Sequence, residues 1–117
     1  MFYGGVIAYD NGVKSRLLGV SENTLIEHGA VSEETAREMA AGARRLLGTD
    51  TAIAVTGIAG PGGAVPGKPV GLVYIAVADG PRVVVSRNVF GGGREDVRRS
   101  TVSTSLELLK ELLEGML

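Results

Sequence analysis

The sequence predicts an α/β sandwich with a mixed sheet, and three observations predict it. Short β-branched runs alternate with segments of helical period, in the order strand, helix, strand, strand, strand, helix. A hairpin signal, Asp79-Gly80-Pro81, sits between two of the runs, so part of the sheet is antiparallel whatever the rest does. The length, 117 residues, suits one core and leaves no room for a second.

The first element expected is a strand, Phe2 to Tyr9 (FYGGVIAY), ending in the turn Asp10-Asn11-Gly12 with Lys14 just beyond. A helix follows from Ser32. Its apolar residues Ala36, Met39, Ala40, Ala43, Leu46 and Leu47 fall on one face. Ser32 caps the start, acids fill the first turn, Arg44 and Arg45 the last, and Gly48 terminates it. Thr51 to Thr56 (TAIAVT) is almost continuously apolar and β-branched, the pattern of a strand covered on both faces. Val70 to Ala78 is another such strand, paired through the hairpin with Arg82 to Phe90. After Gly91-Gly92-Gly93 comes a long helix starting near Arg94. On it Val102, Leu106, Leu109 and Leu113 share a face with Leu108 and Leu112, and Gly115 ends it.

Charge and composition exclude several classes. Twelve Lys and Arg against thirteen Asp and Glu offer no electrostatic case for nucleic acid or an anionic membrane. Without cysteine there is no disulfide, thiolate metal site or cysteine nucleophile, and His28 is the lone histidine. The apolar runs are of strand length and the N-terminus lacks the pattern of a signal peptide, so a soluble, cytoplasmic protein is expected.

The stretch joining the second and third strands, Thr56 to Gly71 (TGIAGPGGAVPGKPVG), holds six glycines and three prolines. Within it Gly62 to Lys68 matches G-x-x-x-x-G-K, but Pro69 stands where a magnesium-binding Ser or Thr is required and a strand follows instead of a helix. The match does not make a phosphate-binding P-loop. Two readings of the stretch stay open. Gly57 and Gly60 bring exposed backbone amides to a strand's end, where a ligand can approach, or the glycines merely fold a tight surface crossover. A second anion site, built from amides at the start of the last helix with Arg94 and Arg98, stands against a plain capped helix whose Glu95 and Asp96 already satisfy the dipole. A third constellation is Tyr9 with Lys14, a lysine able to serve as base to a serine if burial lowers its pKa, beside the bland reading of a lone surface lysine.

Taken together, GGVIAYDNGVKSRLLGV, HGAVSEETAREMAAGARRLLGTDTAIAVTGIAGPGG, KPVGLVYIAVA and FGGGREDVRRSTVSTSLELL closely resemble the C-terminal domain of the competence/damage-inducible CinA family, the nicotinamide-nucleotide amidases. The resemblance implies a three-layer α/β/α sandwich, commonly in an oligomer. It implies hydrolysis of the carboxamide of nicotinamide mononucleotide to nicotinate mononucleotide and ammonia, a salvage step in pyridine-nucleotide metabolism. Tyr9 matches the tyrosine of the family's Y-S-N-x-x-K segment and Lys14 its lysine, base to a serine nucleophile, while Asp10 stands where the family usually has Ser. Thr56 matches the residue opening the active-site T-G-I-A-G-P segment, and Arg94 the arginine just after F-x-G. On that mapping Gly57, Ile58, Ala59 and Gly60 line the substrate pocket with backbone amides. The expected partners are a small-molecule nucleotide and further copies of the chain, with neither nucleic acid nor membrane. No cofactor is expected and no metal-ligating residue is nominated.

The sequence departs from the family pattern at its start. Family members carry, before the matching segment, a helix, a strand ending in E-S-C-T-G-G, another helix, and a G-S-S motif that supplies the serine. None of Ser15, Ser21 and Ser32 takes that serine's place. The expectation is therefore one domain, residues 1–117, incomplete on its N-terminal side. Three explanations compete: an amidase read from a late start, a non-catalytic relative that still binds nucleotide or serves in oligomerisation, and a chain completed by a partner.

Overall fold

The structure is a computed structural model and describes residues 3–8 and 10–117. Seven elements follow in order: α1 (Asn11–Arg16), α2 (Glu22–His28), α3 (Glu33–Leu47), β1 (Thr51–Gly57), β2 (Leu72–Asp79), β3 (Arg82–Val89) and α4 (Arg94–Leu113).

Local signals decide α3. The Ser32 hydroxyl accepts a hydrogen bond from the Thr35 amide at 3.1 Å, Glu33 and Glu34 occupy the first turn, and Gly48 closes the helix in the left-handed region at φ 63°. Its buried face, Ala36, Met39 and Ala40, lies on the sheet beside Ala54, Ala76 and Ala78. So many alanines hold the helix close to the strands. The opposite face of the sheet carries the bulkier Val73, Ile75 and Val77 against Val97 and Leu112 of α4. Burying an Ile or Val of that kind stabilises by about 1.5–3 kcal/mol each, so β2, with Ile75 and Val77 fully buried on this face, is the centre of the core. Helices above and below one sheet make the α/β class and the three layers.

Within the layers the sheet differs from expectation. Its order is β1-β2-β3 and both pairings are antiparallel, with Thr51 opposite Asp79, Gly57 opposite Val73, and Asp79 opposite Arg82. Among the described residues no parallel pair makes it mixed. The strand expected over Phe2 to Tyr9 is not formed in residues 3–8; Phe2 and Tyr9 lie outside the described residues. A strand exists only through its partner's hydrogen bonds, and this segment runs beside the outer edge of β1 without joining it. The segment lines a groove of about 930 Å³ together with Ile53 and Val55 of β1 and Leu106 and Leu109 of α4.

Other boundaries shift for local reasons. The expected turn at Asp10-Asn11-Gly12 is the start of α1, because the Asp10 carboxylate accepts from the Val13 amide at 2.9 Å and so caps a helix. β2 begins at Leu72 instead of Val70: Gly71 takes φ 91°, its amide donates to Ile58 O at 2.7 Å, and a side chain there would collide with Phe90 O. α4 buries Val97, Ser105 and Leu112, with Leu108 half-buried, whereas Val102 and Leu106 are 60% and 59% exposed. The expected apolar face thus splits into a packed stripe and a neighbouring exposed one. No helix among the described residues is long and apolar enough to cross a membrane.

Candidate functional site

Lys14 is the most unusual side chain. Only 7% exposed, it lies on α1 with its ammonium Nζ donating to the carbonyl of Ala8 at 2.6 Å. Burial pushes its pKa below the ordinary 10.5, and the Asp10 carboxylate nearby pulls the other way. An amine in that setting gives up its proton more readily than a surface lysine does. The bland reading of Lys14 as a solvated lysine is therefore overturned. Tyr9, expected beside it, lies outside the described residues.

Thr56 sits near the end of β1, buried on the face that looks toward α3. Its hydroxyl donates to Ala30 O at 2.6 Å, in the joint between α2 and α3. The same joint is gripped from other sides: the hydroxyls of Ser32 and Thr35 both donate to Gly29 O, and Lys68 Nζ donates to His28 O at 2.6 Å. Lys68 therefore does structural duty from the glycine stretch, as the failed P-loop match requires. No hydrogen bond joins Lys14 to Thr56 among the described residues.

The four pocket residues expected after Thr56 behave unequally. The Ile58 amide donates to Leu72 O at 2.9 Å and is committed to the fold, whereas Gly57, opposite Val73 in a non-hydrogen-bonded pair of the ladder, turns its amide away from β2. A side chain at Gly57 would press on Leu72 O at 2.8 Å, which is a packing reason for glycine. Ala59 and Gly60 follow the strand, and neither amide has an intramolecular acceptor among the described residues. Gly60 holds φ 85° and its hydrogen faces Val70, leaving no space for a side chain. The expectation of a continuous four-residue amide lining is thus corrected at Ile58, whose amide is taken by Leu72 O.

Arg94 reaches back from the first turn of α4 to donate to Gly60 O at 3.0 Å. It brings the helix start and the glycine loop into one place. Arg98 instead pairs with Glu95 at 3.2 Å, and the Asp96 carboxylate accepts from the Gly93 amide at 2.9 Å. Of the two readings of this helix start, the capped helix is the one formed, and the separate anion site with Arg98 is not.

The family model for the CinA C-terminal domain matches residues 1–113. The chain belongs to the CinA C-terminal domain family. A CinA-like protein of Leptospira interrogans is 51% identical over 116 residues, covering 98% of this chain and 28% of its own length. A putative competence-damage inducible protein of Desulforudis audaxviator is 50% identical over 112 residues, covering 96% of this chain and 27% of its own. Among solved structures, the competence/damage inducible protein CihA of Agrobacterium tumefaciens superposes with a TM-score of 0.85 at 45% identity, over 89% of this chain and 64% of that one. A CinA superfamily protein of Escherichia coli gives 0.86 at 34% identity, over 90% and 61%. The chain thus spans little more than a quarter of the curated CinA relatives and about two thirds of the solved CinA domains. Sequence reasoning missed the carbonyls that hold these two side chains, Ala8 O on Lys14 and Ala30 O on Thr56. Backbone acceptors leave no mark in residue type; the cap at Asp10 did leave one, an Asp three residues before the accepted amide.

Proposed function

We propose that this chain supplies the general base and part of the nucleotide pocket of a nicotinamide-nucleotide amidase, releasing ammonia from nicotinamide mononucleotide. The observation that carries the reading is the buried Lys14, whose amine loses its proton more easily than a solvated lysine and is held by Ala8 O. In the cycle proposed, neutral Lys14 takes the proton of a serine hydroxyl as its oxygen attacks the carboxamide carbon. The C–N bond breaks, the Lys14 ammonium returns the proton, and ammonia leaves an acyl ester. Water, deprotonated in turn by Lys14, hydrolyses that ester to nicotinate mononucleotide and frees the serine. The serine of this cycle is the one that the family's G-S-S motif supplies, and Lys14 Nζ is held meanwhile by Ala8 O. The free amides of Ala59 and Gly60 and the guanidinium of Arg94 support an anionic or carbonyl-bearing ligand at the loop. Assembly as a cytoplasmic homo-oligomer belongs to the same reading, supported by the outer edge of β1, which no described residue covers with a strand.

The test is ammonia release from nicotinamide mononucleotide, measured on this chain, on a version extended upstream of Met1, and on the extended version carrying Lys14→Ala. The expected result is turnover in the extended form, reduced about 10²–10⁴-fold by the substitution. Ammonia release unchanged by Lys14→Ala removes the base from the mechanism. Nucleotide binding in calorimetry with no turnover from either length favours instead a non-catalytic binding domain.

A further inference from the structure

α3 touches the chain segment after α1 at a point where only glycine fits. Gly42 is buried in the middle of the helix, and a Cβ built on it would land on the carbonyl oxygen of Leu18, 2.5 Å from the carbonyl carbon and 2.9 Å from Cα. The obstacle is backbone, not the end of a flexible side chain, so no rotamer relieves it. An alanine here forces the segment away by about 1–2 Å before ordinary contact distances return.

The segment is a short strap, residues 17–20, seated by Leu18 at 2% exposure and Val20 at 1% in the cluster beneath α3. It turns at Gly19, φ 70°, and is tied directly to α1: the Val20 amide donates to Lys14 O at 3.0 Å and the Gly19 amide to Ser15 O at 3.2 Å. From Gly42 to the Lys14 backbone there is therefore one backbone contact and one backbone hydrogen bond. Lys14 in turn places its ammonium against Ala8 O. Glycine in a helix interior costs about 0.5–1 kcal/mol relative to alanine, so its presence at this position has to be offset by the close approach it permits.

We propose that Gly42 is a positioning residue for Lys14, setting through the strap where the lysine amine lies and how deeply it is buried. The inference rests on the reading of Lys14 as the base only for its catalytic consequence; the geometric claim stands apart from it. The charged group that acts on the amine is Asp10, the N-cap of α1; the Arg16 guanidinium lies against Gly12, and Arg45 of α3 faces Gly19 of the strap.

The test is a nuclear magnetic resonance titration of the Lys14 side chain in this chain, compared with Gly42→Ala, Val20→Ala and Leu112→Ala. Val20→Ala loosens the strap without inserting anything, and so decides the matter if Gly42→Ala does not fold. Leu112→Ala removes a comparable buried side chain from the cluster across the sheet, out of contact with the strap. The expected result is a Lys14 pKa that rises toward its ordinary value by about half a unit or more in the strap variants and stays put in Leu112→Ala. A Lys14 pKa unchanged in folded Gly42→Ala, or in Val20→Ala when the former is unfolded, overturns the proposal, as does an equal shift in Leu112→Ala. In the extended protein, Gly42→Ala is expected to lower kcat about 10²-fold with the KM for nicotinamide mononucleotide little changed. Because the titration needs no substrate, absence of amidase activity in the wild type counts against the function proposed above and leaves the positioning claim to the pKa.

Discussion

At the scale of single residues, Lys14 combines a buried cation, a backbone acceptor at 2.6 Å and a carboxylate neighbour in Asp10. Its folded pKa is lowered, so between that value and 10.5 the unfolded chain binds more protons than the folded one, and stability contributed at this site rises with pH across that window. Below the window the buried charge is a constant penalty. The expected outcome is that wild type gains stability relative to Lys14→Met as pH is raised through the window, read as urea midpoints at a series of alkaline pH values. A difference between the two proteins that stays flat up to 10.5 shows that the amine is not held below its ordinary range. The type and spacing of Tyr9, Lys14 and Thr56 were legible in the sequence, and Lys14's burial was not. Its amine is held by the carbonyl of Ala8, an acceptor that residue type does not announce.

At the scale of elements, α4 shows how periodicity can identify a helix and misplace its buried face. Its start at Arg94 and its end before Gly115, which takes φ 76°, follow local signals. Apolar residues, however, run around much of the helix. The sheet selects the stripe through Val97, Ser105, Leu108 and Leu112, leaving Val102 and Leu106 outside. One member of the packed stripe is polar: the Ser105 hydroxyl is buried with no partner among the described residues. An unpaired buried hydroxyl is costly, and alanine is also the better helix former. Ser105→Ala is accordingly expected to stabilise the chain by about 1–2 kcal/mol in denaturant unfolding. A loss of stability of that size means instead that the hydroxyl has a partner. α1 and α2 escaped sequence reading because six and seven residues carry too little periodicity to stand out.

At the scale of the whole molecule, the outer edge of β1 carries no paired strand among the described residues. Thr51–Gly57 pairs with β2 on one side and faces the 930 Å³ groove on the other, with Val55 39% exposed. Unpaired edges recruit strands from other chains unless a charge or a cover blocks them. Val55→Lys is therefore expected to lower the concentration-dependent association of this chain, followed by light scattering, while its circular dichroism stays unchanged; association that continues undiminished assigns the contact to another surface. The sequence by itself determined what is encoded within a few neighbouring residues: the cap at Ser32, the stop at Gly48, the hairpin at Gly80, and the T-G-I-A-G-P and K-P-V-G motifs that mark the CinA family. Only the tertiary structure decided that residues 3–8 form no strand, that Ile58 spends its amide on Leu72 while Gly60 has no acceptor among the described residues, and that Gly42 lies against Leu18. The division has one physical cause. Caps and turns are satisfied by atoms three or four residues away, whereas strand pairing, burial and backbone close approach depend on partners tens of residues distant, whose positions exist only once the chain has folded.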